Sequence, residues 1–140
     1  MRKSKAGIVP NGSGGVLLVR KKDTWILPGG NPENTETFKQ TLEREFAEEV
    51  PDLKISSISD NEIISKTSGL SPNKGTMIEI SVFLVNVTET PITLRTANEI
   101  LEAAWAGPEV LNSNYSGPIK LSNLTRQILE KLWITEKPKI

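Results

Sequence analysis

Glu45, Glu48 and Glu49 stand at i, i+3 and i+4 within the run Arg44-Glu45-Phe46-Ala47-Glu48-Glu49. On a helix, like charges at these spacings repel by roughly 0.2–0.5 kcal/mol per pair, and burial raises that cost. Arg44, four residues before Glu48, offsets part of it, but one guanidinium cannot neutralise three carboxylates, whereas a bound divalent cation can. The chain has no histidine and no cysteine, so disulfides, thiolate sites, a cysteine nucleophile and the usual neutral-pH base are excluded. An all-oxygen carboxylate set selects a hard ion, Mg²⁺ or in its place Mn²⁺. Magnesium keeps waters and takes phosphate oxygens as co-ligands, which implies a phosphate-bearing substrate. The plainer reading is a charged, helix-favouring stretch, since glutamate is a good helix former.

A helix must carry these residues. Phe38, Leu42, Phe46 and Val50 recur every fourth position, the period of an amphipathic helix. Asn34 or Thr35 is placed to cap it, Glu36 falls in its first turn, where the macrodipole favours an anion, and Pro51 stops it. At about 100° per residue, Glu49 projects about 40° and Glu45 about 80° from the mean direction of the apolar stripe. Both therefore border the packed face, where a merely solvated pair would lie opposite it.

Strands are expected on either side. Residues 6–9 and 15–20 read as a hairpin about Asn11-Gly12-Ser13-Gly14, whose residue types tolerate left-handed backbone. A phosphate-cradling role for these glycines is disfavoured, because no Gly-Lys-Ser/Thr follows and no helix begins. Trp25-Ile26-Leu27 reads as a short strand entering the loop Pro28-Gly29-Gly30-Asn31-Pro32. Further strands are expected over 53–58, 61–65 and 76–87, with weaker candidates at 91–95 and 99–106, and residues 66–75 are expected to form an exposed loop. Leu121, Leu124, Ile128 and Leu132 mark a second helix with Ser122 near its start. Strands flanking a central helix, with a helix at the end, indicate an α+β protein around a mixed sheet.

The length of 140 residues suits one domain over 1–140. Seventeen basic residues balance seventeen acidic ones without long runs of either sign, so no nucleic-acid polymer or anionic membrane is expected as partner. The apolar stretch after the basic start ends at Pro10, too short for a signal peptide or a span. A cytoplasmic monomer or homodimer acting on a small polyanion is the expectation.

The spacing Gly30, five residues, Glu36, seven residues, then Arg44-Glu45-Phe46-Ala47-Glu48-Glu49 resembles the signature box of the Nudix hydrolases, and Trp25 to Gly30 resembles the lead-in common in that family. The resemblance implies an α/β/α sandwich and a Mg²⁺-dependent pyrophosphohydrolase (EC 3.6.1 class) that cuts a nucleoside diphosphate linked to another moiety: a nucleotide sugar, ADP-ribose, a dinucleoside polyphosphate or a modified nucleoside triphosphate. A nucleotide-sensing module that binds without cutting is the alternative, against which the intact glutamate set argues. The implied metal set is Glu45, Glu48, Glu49 and Gly29, with Arg44 and Glu36 completing the catalytic group. Glu36 would pair with Arg44 and hold the loop on the helix, and Gly30, Glu99 and Glu102 are the substrate-side candidates, with Glu99 or Glu102 as the later acid the family often adds. Two departures stand out: Pro51 and Thr35 occupy positions where the family usually has glycine. Thr41 and Leu42 replace small residues of the family's helix, which implies looser or shifted packing there. Trp25, Trp105, Trp133 and Tyr115 can stack a base but are more often core anchors. Lys21, Lys22 and Lys74 can meet phosphates, although the default for each is a solvated lysine.

Overall fold

The computed structural model describes residues 1–71 and 75–135. β1 (Arg2–Ile8) runs parallel to β7 (Met77–Val87) over seven residue pairs, and its other edge takes the two-residue strand β4 (Gly29–Gly30). The far edge of β7 is shared by β5 (Ile55–Ile58) and β6 (Thr67–Leu70), both antiparallel to it, which completes a mixed five-stranded sheet. A second, three-stranded sheet is antiparallel in the order β3 (Thr24–Ile26), β2 (Val16–Lys21), β8 (Ile100–Ala106).

Helix α1 (Phe38–Glu49) and helix α2 (Asn123–Glu130) cover opposite faces. The division is visible in β2, whose residues Val16 to Val19 are all buried. Val16 and Leu18 join the cluster containing Ile128 and Leu129 of α2. Leu17 and Val19 join Leu42, Phe46 and Val50 on the α1 side. A strand covered on both faces reads as a continuous apolar run. Full burial of Leu42 and Phe46 contributes about 1.5–3 kcal/mol each. Gly7 makes the close approach of α1 feasible, because a Cβ there would sit 2.9 Å from Phe46 Cζ.

Four expectations about strands and loops are corrected. The turn at 11–14 forms, with Gly12 and Gly14 at φ 82° and 89° and Asn11 Oδ1 accepting from the Ser13 and Gly15 amides. The strands it joins do not form a hairpin: past the Pro10–Val16 bridge they part into different sheets, because both edges of β1 are taken by β4 and β7. Residues 61–65 are not a strand; Ile63 and Ile64 instead plug the α2-side core. The strand lies further on, at β6, inside the stretch expected to be loop. Its pairing is backbone to backbone with β7, and Gly69 is pressed against Leu124, which an apolar-periodicity reading cannot see. Residues 91–95 form no strand, and Ile92 is exposed.

The cap of α1 is Thr37, not Asn34 or Thr35. Its side chain accepts from the Gln40 amide at 3.2 Å and the Gln40 side chain accepts from the Thr37 amide at 2.9 Å, a reciprocal capping box. Glu36 therefore precedes the helix instead of occupying its first turn. Thr37→Ala is expected to cost about 1 kcal/mol in denaturant unfolding while Thr35→Ala is nearly silent; equal effects would show that the cap is wrongly placed. Packing beside the cap is tight, not loose: Thr41 and Leu42 are both fully buried, and the Thr41 hydroxyl donates to the Thr37 carbonyl at 3.1 Å. At the other end Val50, before Pro51, leaves the helical region with φ −134°, as the residue before a proline must. Ser122 caps α2, accepting from the Thr125 amide at 3.1 Å.

Candidate functional site

The loop after β3 is held against α1 by two glycines. Gly29 lies at φ 146° and pairs with Ala6, and a Cβ at this position would collide with the Lys5 carbonyl. A Cβ on Gly30 would collide with the Glu45 carboxylate. Only glycine lets the backbone pass this close to the acidic side chains.

Arg44 ties the loop and the helix together. Its Nε donates to Glu36 Oε2 at 2.7 Å, its Nη2 to the Asn31 carbonyl at 2.9 Å, and its Nη1 to Glu45 Oε1 and Glu48 Oε1 at 3.0 and 3.1 Å. The Arg44 hydrogen bond, aided by the Glu33 amide, pulls the Glu36 carboxyl down to about 2, and the same contacts raise Arg44. Arg44 and Glu36 are thus a permanently charged pair at working pH.

Glu49 behaves oppositely. Burial, reinforced by the charge and hydrogen bond of Glu45, pushes its carboxyl up to about 9, against the weak 3.3 Å bond from the Gly29 amide. Two carboxyls share one partly buried place. No three acids among the described residues are gathered tightly enough to hold an ion as they stand; the Arg44 fork takes one oxygen each of Glu45 and Glu48. These side chains floor a groove of about 550 Å³ whose other walls are Gly29 to Glu33, Lys21 and Asn98 to Ile100.

The family model for the NUDIX domain matches residues 1–131. The chain belongs to the Nudix family. Its fold is shared with solved Nudix structures at low identity. The MutT NUDIX hydrolase from Burkholderia pseudomallei is 19% identical with a TM-score of 0.69, covering 94% of this chain and 97% of its own. The MutT protein from Methanosarcina mazei Go1 is 19% identical at TM-score 0.66, covering 93% and 91%. The dihydroneopterin triphosphate pyrophosphohydrolase of E. coli is 20% identical at TM-score 0.65, covering 93% of each chain. No curated protein gives a significant match. As an enzyme, this Nudix protein falls in the pyrophosphohydrolase class.

Of the residues named from sequence, the Nudix groove gathers Gly29, Gly30, Arg44, Glu45, Glu48, Glu49 and Glu99, and Glu36 supports it through Arg44. Glu99 lies 2.8 Å from Lys21 at the rim. Glu102 is not part of the groove; it bonds Arg20 at 2.7 Å. Trp25 is buried in the α2-side core, and Trp133 and Tyr115 pack against it. Trp105 packs on the α1-side core with Nε1 donating to the Pro91 carbonyl at 2.7 Å. None of the four lines the groove, as expected of core anchors. Lys22 is an exposed turn residue at φ 56°, and Lys74 lies outside the described residues.

Lys21 was undervalued by sequence reasoning, and Asn31 was missed. β2 shifts register between Arg20 and Lys21, and Lys21 lines the groove. The strand pattern alone carried no signal of that shift.

Proposed function

We propose that this Nudix enzyme hydrolyses the diphosphate bond of a small nucleoside diphosphate linked to another moiety, with Mg²⁺ or Mn²⁺ held by Glu45, Glu48, Glu49 and the Gly29 carbonyl. The observation that carries the reading is the Glu45–Glu49 carboxyl pair, buried against Gly29 and Gly30 yet open to a groove on one side. A hard cation suits this donor set: every candidate ligand is oxygen, one carboxyl is otherwise forced to keep a proton, and magnesium needs only one or two direct carboxylates because waters and phosphate oxygens complete its shell. When bound, such an ion screens the diphosphate charge and lowers the pKa of a water.

The chain's own residues supply the rest. Arg44, clamped by Glu36 and the Asn31 carbonyl, holds one oxygen each of Glu45 and Glu48 beside the groove, and a bound ion would draw the carboxylates together from that arrangement. Lys21 offers a positive charge to substrate oxygens, and Glu99, beside Asn98 and Ile100 on the groove wall, can accept the proton released by the attacking water. Nucleotide sugars, ADP-ribose, dinucleoside polyphosphates and modified nucleoside triphosphates all present the required bond.

Turnover is expected to require added Mg²⁺ or Mn²⁺ and to disappear in excess EDTA, measured as phosphate or nucleotide release across those substrate classes. Undiminished turnover after exhaustive metal removal would sink the mechanism. Saturable nucleotide binding without turnover in millimolar Mg²⁺ would identify a sensing module instead.

A further inference from the structure

β7 and β8 are joined by twelve residues, 88–99, that contain no helix or strand. A structureless connection of that length in a compact domain is commonly functional. Its last residues, Asn98 and Glu99, form one wall of the acidic groove together with Ile100, which opens β8. Asn98 takes left-handed backbone at φ 57°, and the Ile100 amide donates to the Ala97 carbonyl at 3.2 Å. A tight turn therefore sets the position of both residues. Glu99 also meets Lys21 of β2 at 2.8 Å.

This turn is fastened to the end of the helix that carries the glutamates. The Ala97 amide donates to the Glu49 carbonyl at 3.1 Å, one of the carbonyls that a helix C-terminus leaves unpaired. Glu49 thus links the two parts: its side chain lines the groove and its backbone receives the connection. Two residues before Ala97, Arg95 Nη2 donates to Asp52 Oδ1 at 3.1 Å. The guanidinium, with help from the Arg95 backbone amide, holds the Asp52 carboxyl below the usual range. Asp52 belongs to the turn that follows α1, three residues after Glu49. Other fastenings lie further back along the connection: Leu94 packs on the α1-side core, the Pro91 carbonyl accepts from Trp105, and the Thr88 amide donates to the Lys54 carbonyl at 3.0 Å.

We propose that Asp52 and Arg95 are positioning residues, whose ion pair clasps the β7–β8 connection onto the C-terminal turn of α1 and so keeps Glu99 in place opposite the glutamates of that helix. The inference rests on the hydrolase reading for the task of Glu99 as proton acceptor. The side chains of Arg95 and Asp52 are 68% and 47% exposed, and an ion pair so exposed is a modest fastening, which bounds the effect of losing it.

The test reads activity and backbone opening separately. Asp52→Ala is assayed on ADP-ribose, UDP-glucose, diadenosine tetraphosphate and an oxidised guanosine triphosphate. On whichever turns over, it is expected to lower kcat about 3-fold to 10-fold with KM changed less than about twofold. Asp52→Asn, which still accepts hydrogen bonds but carries no charge, should lose less. In a Glu99→Gln background Asp52→Ala should add no further loss, because residues that act as a unit are not additive. The second readout needs neither substrate nor metal: in EDTA, hydrogen exchange at the Ala97 amide should accelerate about 3-fold to 10-fold in Asp52→Ala, while the Thr88 amide keeps its rate. Unchanged Ala97 exchange, a Glu99→Gln variant with wild-type kcat, or losses that add in full overturn the clasp and leave the hydrolase reading standing. A wild type that turns over none of the four substrates overturns the hydrolase reading, and the positioning role with it, whatever the exchange shows.

Discussion

Glu49→Gln and Glu45→Gln are each expected to lower kcat by about 10²- to 10⁴-fold, a loss of several kcal/mol of transition-state stabilisation typical of a damaged metal site. Glu43→Gln, an exposed position on the same helix, should change kcat less than twofold by the ordinary standard of surface substitutions. The contrast follows from position. Glu45 and Glu49 lie under the Gly29–Gly30 backbone, whereas Glu43 faces away from it and alters only bulk charge. Glu48 is half exposed and tied to Arg44, so Glu48→Gln should fall between these limits. Steady-state kinetics at saturating Mg²⁺ on the four proteins decides the matter: comparable losses at Glu43 and Glu49 would mean that helix charge, not ligation, governs activity.

The stability of the metal-free protein should respond to pH in the direction opposite to that of an ordinary salt-bridged acid. Glu49 has its folded-state pKa raised from 4.5 to about 9 by burial and by Glu45, so the folded chain holds a proton that the unfolded chain releases. Its favourable contribution is complete below about pH 4.5 and is lost as pH rises towards 9. In EDTA, wild-type stability should therefore decline across that window, and Glu49→Gln, which cannot ionise, should lack the decline. At pH 8 the variant should be more stable than wild type by about 1 kcal/mol or more. Millimolar Mg²⁺ should reverse the order, because an ion at ten times its Kd stabilises the folded wild type by about 1.4 kcal/mol through mass action, and the variant has lost a ligand. Denaturant unfolding at pH 5, 7 and 8.5 with and without Mg²⁺ measures all of this. If Glu49→Gln costs well over about 1 kcal/mol in EDTA at every pH, Glu49 is a structural partner of the Gly29 amide and of Glu45, and its place in the metal set falls.

Both expectations begin with features that are local in the chain. The 3.6-residue period of Phe38, Leu42, Phe46 and Val50 sets which face of α1 is buried, and the i, i+3, i+4 spacing of the glutamates then puts two of them at its border. The box spacing from Gly30 to Glu49 adds the loop, because the residues between Gly30 and Glu36 are few enough to return the backbone to the helix. Arg44 and Glu36 are eight positions apart in the chain and end in contact for the same reason. The second helix is equally local, with Ser122 and the Leu124, Ile128 stripe sufficient to locate it.

Features decided by pairing between distant segments were not legible in the sequence. Which edge of β1 meets which strand depends on β7, some seventy-six residues away at the Arg2–Ile78 pair, and no local pattern encodes that choice. The turn at 11–14 therefore looked like the tip of a hairpin when it is a passage between sheets. β6 carries Ser and Gly where a strand reader wants branched residues, and it is a strand because β7 offers an open edge and Leu124 needs the space above Gly69. The cap fell to Thr37 because Gln40 reciprocates; the Thr-x-x-Gln spacing is a capping-box signature that Asn34 and Thr35 lack, so this feature was legible in the chain. Sequence alone pointed to the family and located the acidic helix, since those rest on short-range periodicity and spacing. Tertiary structure alone brought Lys21, Asn31 and Asn98 around the glutamate groove, since long-range register sets which side chains share a wall.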